Sequence, residues 1–115
     1  MPVDVSCEGM VDPTDATDKS NVESAVVENR TLELRQGNID GVQHAWARLS
    51  NAQDGDTLWL EISGDSGQNW IRCGKITIAA DGRNYTDAQR TSSSSELCMR
   101  AVTQLAGPRY QTAQW

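Results

Sequence analysis

Apolar and polar residues alternate with a period of two over several short stretches of this chain, and no stretch sustains the spacing of a capped amphipathic helix. Residues 31–36 set Leu32 and Leu34 against Thr31, Glu33 and Arg35. Residues 43–49 set Ala45, Ala47 and Leu49 against His44, Trp46 and Arg48; residues 57–62 set Leu58, Leu60 and Ile62 against Trp59 and Glu61. Successive strand side chains point to opposite faces, so each run reads as a strand with one buried face. Residues 22–28, 70–78 (interrupted at Gly74), 96–102 and 110–115 complete the predicted strands. Turns are expected at 37–41, Asp54-Gly55, 63–69 and Asp81-Gly82, and a loose loop tip at the serine run 92–95. Asp54-Gly55 is a strong hairpin signal and would join 43–49 to 57–62.

Residues 1–21 are acidic and rich in turn formers, with few apolar anchors. They read as an irregular N-terminal arm, and 22–115 as a single β domain. Several short strands separated by glycine turns predict an all-β fold, a small antiparallel sandwich or barrel.

Composition narrows this picture. A chain of 115 residues has room for one core. With 37% hydrophobic residues and no Phe, that core rests on Val, Ile, Leu, Ala and the four Trp, and a disulfide would add needed stability. The net charge of −6 and pI of about 4.6 disfavour nucleic acid and anionic membranes as partners, and no basic cluster stands out along the sequence. No apolar run is long enough to span a bilayer, so no membrane insertion is expected. Met1-Pro2-Val3-Asp4 lacks the basic start and apolar stretch of an export signal, so the chain is either cytosolic or a mature form that begins afresh at Met1, and the second is the expectation.

Three cysteines, Cys7, Cys73 and Cys98, allow one disulfide plus a leftover thiol, or three free thiols in a reducing compartment. There is no C-x-x-C spacing and His44 is not near a cysteine in sequence, so no structural metal site is expected.

The segment Ser63-Gly64-Asp65-Ser66-Gly67-Gln68-Asn69-Trp70 resembles the Asp-box pattern Ser-x-Asp-x-Gly-x-Thr-Trp, with Asn69 in the threonine place. Its physics suits a hairpin: the Asp65 carboxylate can accept turn amides, Gly67 can take a positive φ, and Trp70 can pack beneath. Where it occurs such a box is a structural turn, so Ser63, Asp65, Gly67 and Trp70 are assigned to structure.

Catalytic signals are sparse. His44 is the one side chain poised for acid–base work near neutral pH, and its strand position is outward. No nucleophile elbow, zinc-protease, phosphate-loop or dinucleotide motif is present, and no cofactor is expected. Acidic turn residues Asp54, Asp56, Asp65 and Asp81 could supply oxygens to calcium, but the spacing of a calcium loop is missing. Trp46 and Trp59 fall on the face opposite the aliphatic residues; exposed together on one hairpin they would form a stacking platform.

Several motifs resemble the YjfA-like secreted bacterial domains, a family of unknown function. Thr31-Leu32-Glu33-Leu34-Arg35 followed by Ala45-Trp46-Ala47-Arg48-Leu49 is similar to the family's VELRY…AWARI pattern. Cys7-Glu8-Gly9 with Asp12-Pro13 resembles the family's opening C-x-G-x-D-P, Tyr85-Thr86 sits where the family has C-Y-T, and Thr112 with Trp115 resembles its closing T-x-x-aromatic. The resemblance implies export. Cysteines the family would place near Asp18, Val42 and Asn84 are absent here, while Cys98 is an addition. On that comparison the preferred disulfide is Cys73–Cys98, leaving Cys7 unpaired.

The function expected is a non-catalytic extracellular binding module for a glycan, the cell wall or a protein partner, with Trp46, Trp59 and His44 as ligand-binding candidates. The alternatives are a secreted hydrolase or nuclease pairing His44 with an acid such as Glu61, and a protease inhibitor presenting residues 81–95 as a rigid loop. Oligomeric state is left open, because a terminal strand ending at Trp115 could pair with another copy at a sheet edge.

Overall fold

The structure, a computed structural model, describes residues 2–79 and 82–115. Eight strands run in chain order: β1 (Thr17–Val27), β2 (Arg30–Ile39), β3 (Val42–Ser50), β4 (Thr57–Ser63), β5 (Ile71–Thr77), β6 (Gln89–Arg90), β7 (Cys98–Gln104) and β8 (Arg109–Gln111). They form two four-stranded antiparallel sheets, ordered β1-β2-β3-β6 and β5-β4-β7-β8, packed face to face as a small β-sandwich. No helix of the structure is long and apolar enough to cross a membrane.

The alternation predicted from sequence sets the core. Leu32, Leu34, Ala45, Ala47 and Leu49 point inward from the first sheet to meet Leu58, Leu60, Ile62, Met99 and Ala101 from the second. Each is buried. Two strand pairs are joined by two-residue turns whose central residues both have positive φ, Glu28-Asn29 between β1 and β2 and Asp40-Gly41 between β2 and β3. That geometry matches the right-handed twist of the paired strands. Gly37, expected in a turn, lies within β2, where an added Cβ would come within 3.1 Å of the Trp46 indole and 3.0 Å of the Thr17 carbonyl.

The hairpin expected at Asp54-Gly55 does not form. β3 and β4 belong to different sheets, and residues 51–56 carry the chain across the sandwich. A buried ion pair holds that crossing. Arg30 Nε donates to Asp56 at 2.7 Å and Nη2 at 3.1 Å, and the same carboxylate accepts the Gln53 amide at 2.9 Å. At the opposite sheet's edge the Tyr110 hydroxyl donates to Glu28 at 2.7 Å, tying β8 to the β1–β2 turn.

Residues 2–16 form no strand, yet they are closely packed against the sandwich. The Val3 amide donates to the Gly64 carbonyl at 2.7 Å, and Val5, Cys7 and Met10 pack against the core. Cys7 is bonded to Cys73 of β5. Val11 then pairs with Ala88 beside β6, and Pro13 is buried on the outer face of the first sheet. The arm is therefore a strap that passes from the second sheet to the first, along the side where β5 and β6 are the edges.

This disulfide replaces the expected Cys73–Cys98 pair. Cys73 pairs in register with Leu60 and faces inward, while Cys98 pairs with Ser63 and faces outward. They sit on opposite faces of one sheet with β4 between them, and strands two apart are separated by roughly 9.5 Å, beyond disulfide reach. Cys98 is a buried free thiol.

Candidate functional site

Outward positions of the first sheet bring Arg35 of β2 alongside Trp46 of β3, with Arg48 next along the same face. The strap adds Pro13 and Thr14, and the segment before β6 adds Asn84 and Tyr85. This segment, β6 and the residue after it follow β3 as an irregular neighbour: the Leu49 amide donates to the Asn84 carbonyl at 2.9 Å, the Thr86 amide to the Ala47 carbonyl at 2.9 Å, and the Thr91 amide to the Gln43 carbonyl at 3.0 Å. The result is a groove of about 200 Å³ lined by Lys19, Arg35, Arg48, Tyr85 and Trp46, with Thr14 and Asn84 at its margin.

The groove's polar groups are positioned by neighbours. The Tyr85 hydroxyl lies 2.7 Å from Thr14 Oγ1, and the Arg83 guanidinium covers its ring at 4.5 Å. Asp12 accepts from the Thr14 amide and hydroxyl, which holds its carboxyl below the usual range. Lys19 donates to the Thr14 carbonyl at 2.7 Å, and Arg35 to Asn21 Oδ1 at 2.8 Å. Arg48 lies 3.3 Å from Glu33, a buried carboxylate that also accepts from Asn21 and Ser50. Lys19 and Arg35 form no ion pair among the described residues. Three cations thus line the groove, and no carboxylate does among the described residues.

Trp46 and Trp59 do not share a platform. They stand on opposite outer faces of the sandwich, because β3 and β4 lie in different sheets, and they are only 3% and 1% exposed. Trp46 is a groove floor beneath the strap. Trp59 lies under the side chains of Arg72 (4.2 Å from the ring centre), Arg109 (5.4 Å) and Lys75 (5.8 Å). Its indole N–H donates to Glu61 at 2.8 Å, and Glu61 is also held by Arg100 and Arg109, each at 2.7 Å.

His44 projects outward by register but is buried, with Nδ1 2.8 Å from the carbonyl of Val42 on its own strand. The proposed pairing with Glu61 does not occur, since Glu61 lies in the other sheet and is saturated by two arginines and an indole. The segment considered as an inhibitor loop, as far as its residues 82–95 are described, runs along β3 up to Thr91 instead of standing clear; Asp81 lies outside the described residues.

The turn between β4 and β5 has the construction its sequence suggests. Asp65 accepts from the Gln68 and Asn69 amides at 3.1 and 2.8 Å, the Asn69 side chain at 2.7 Å and the Ser63 hydroxyl at 2.7 Å. Asn69 and Ser63 are the chief causes that lower its pKa from 3.8 to about 2. Gly67 has φ +91, and the Trp70 indole donates to its carbonyl at 3.0 Å. Of the acids weighed for calcium, Asp56 is committed to Arg30 and Asp65 to this turn; Asp81 is not described, and no group of three or more metal-ligating side chains occurs among the described residues.

Sequence reasoning passed over Lys19, Arg35, Arg48 and Tyr85. Arg35, Trp46 and Arg48 were nevertheless identifiable as outward positions of adjacent strands; the strap and Tyr85 carried no local signal that they would roof that face. Comparison with models of known protein families gives no match, and neither the curated proteins nor the solved structures compared with the chain give a significant one.

Proposed function

We infer that this chain is an extracellular, non-catalytic binding module that holds an acidic sugar residue of a glycan or cell-wall polymer in the strap-roofed groove. The observation that carries this reading is the lining: Lys19, Arg35 and Arg48 around an aromatic floor and wall, with no carboxylate lining it among the described residues. Guanidinium and ammonium groups donate only, so such a lining favours an oxyanion. Tyr85, one face of which Arg83 covers, and Trp46 add aromatic surface suited to the apolar face of a sugar ring. A volume of about 200 Å³ is below the roughly 300–1,000 Å³ of pockets that enclose whole drug-sized ligands. One residue of a longer polymer fits that scale better.

Export is supported by the disulfide, a bond that persists chiefly in oxidising compartments, and by the resemblance to YjfA-like secreted domains. The non-catalytic reading is supported by His44, the single histidine, which is buried and forms no ion pair among the described residues.

The test is calorimetric titration with mono- and disaccharides of uronic acids and with their neutral counterparts. The acidic sugars are expected to bind, and Arg35→Gln with Lys19→Gln is expected to weaken them roughly tenfold or more, the scale of one or two lost charge-assisted contacts. Equal binding of neutral sugars, or an unaffected double variant, would refute this assignment.

A further inference from the structure

The outer face of the second sheet carries a basic cluster that no stretch of sequence displays. Arg72 pairs in register with Glu61 and shares its outward face, and Arg100 pairs with Glu61 from the other side. Arg109 extends the row from β8. Lys75 joins them through an irregularity of β5: Gly74 and Lys75 together oppose Trp59, and Gly74 has φ +66. In an unbroken strand Lys75 would face inward opposite Leu58. The bulge turns it outward, to within 5.8 Å of the Trp59 ring centre, and restores Ile76 to the inner face. Four of the chain's ten basic residues thereby gather around a single buried carboxylate, although the whole chain has a net charge of −6.

Two features of this cluster point to a ligand. Its arginines are stacked on indoles, Arg72 at 4.2 Å over Trp59 and Arg100 at 4.0 Å over Trp70. Stacking occupies the guanidinium face and leaves its in-plane N–H donors directed sideways, as bidentate recognition of oxyanions requires. Arg72 and Lys75 are also exposed and form no ion pair among the described residues.

We propose that this face is a second binding surface, separate from the groove, for an extended acidic polysaccharide. Charge repeated along a chain matches a row of cations contributed by β5, β7 and β8 across the sheet. Single-stranded nucleic acid fits less well, since its bases need open aromatic faces and Trp59 is 1% exposed beneath its cations. A lipid surface fits less well too: among the described residues the exposed large apolar ones, Val11, Val26 and Trp115, are not on this face.

The test is affinity for heparin and for polygalacturonate, with dextran and oligo(dT) as comparators, at 50 and 200 mM salt. Binding to the two acidic polysaccharides is expected, falling roughly tenfold or more across that salt range through counterion release. Arg72→Gln with Lys75→Gln is expected to lower it at least tenfold, and Lys75→Glu alone, an exposed site that leaves Trp59 covered by Arg72 and Arg109, is expected to lower it in the same direction. Measured in the Lys19→Gln, Arg35→Gln background, in which the groove is impaired, the same loss from Arg72→Gln with Lys75→Gln is expected. Thermal melts of each variant verify folding. Absence of binding at 50 mM salt, equal retention on dextran, tighter binding of oligo(dT) than of both polysaccharides, or wild-type affinity in folded Lys75→Glu and the double variant would each overturn the proposal. Failure here with intact uronic-sugar binding in the groove leaves the proposed function standing, and the converse holds as well.

Discussion

Replacing both cysteines of the strap, Cys7→Ser with Cys73→Ser, isolates what the cross-link does. The bonded residues are 66 apart in sequence, so the link closes more than half the chain into a loop. Loop-closure entropy for that span amounts to roughly 14–15 cal/mol/K, or about 4 kcal/mol at 25 °C, removed from the unfolded chain. Unfolding entropies near 2.1 cal/mol/K per residue convert this to a fall in melting temperature of about 17 °C for a domain of this length. The loss is large beside the 5–15 kcal/mol of ordinary domains. The assay is urea denaturation of the wild type and the double variant without reductant, with thiol counting in denaturant alongside. One reactive thiol, Cys98, is expected in the unfolded wild type, and the variant's stability should fall by about 3–4 kcal/mol. Three thiols in unreduced wild type, or a change below about 1 kcal/mol, would refute the reasoning. The same variant should weaken uronic-sugar binding, because the strap that delivers Pro13 and Thr14 to the groove loses its anchor on β5.

Other perturbations test other joints. Asp56→Ala leaves Arg30 unpaired where its side chain is only 11% exposed, so equilibrium unfolding should show a loss of about 3 kcal/mol; a double-mutant cycle with Arg30→Met should recover part of it. Glu61→Gln removes the charge that holds Arg100 and Arg109 and is expected to cost about 3 kcal/mol, read as a lower urea midpoint. Asp65 should titrate by NMR near pH 2 instead of 3.8. Its folded pKa is depressed, so its contribution is full above about pH 4 and disappears as pH falls through about 2; faster amide exchange at Asn69 in that window is the expected sign. An Asp65 midpoint near 4 would contradict the hydrogen-bond pattern of the turn.

What the sequence disclosed follows from how local each signal was. Inward Leu32, Leu34, Leu58, Leu60 and Ile62 were readable because strand periodicity is a property of consecutive residues. The 63–70 turn was readable because Asp65 bonds to amides three and four residues ahead. Asp54-Gly55 misled, since a turn dipeptide records local backbone preference and not which sheet the next strand joins. The two-residue turns at Glu28-Asn29 and Asp40-Gly41 carried the hairpins instead. The same error placed Trp46 and Trp59 on one face. Cys7–Cys73 and the roof of the groove were hidden because the strap packs through contacts distant in sequence, such as Val11 with Ala88 and Thr14 with Tyr85. The basic face was hidden because its four cations come from three strands and a bulge.

The central claim, that the strap-roofed groove takes an acidic sugar, is tested most directly by following the indole N–H resonances during titration with methyl glucuronide. This probe carries a single charge and so does not engage the basic face as a polyanion would. The account predicts that Trp46, on the groove floor, shifts in a saturable manner while Trp59 and Trp70 stay fixed, and that methyl glucoside leaves all of them unmoved. Shifts confined to Trp59 or Trp70, or an equal response to the neutral sugar, would contradict it.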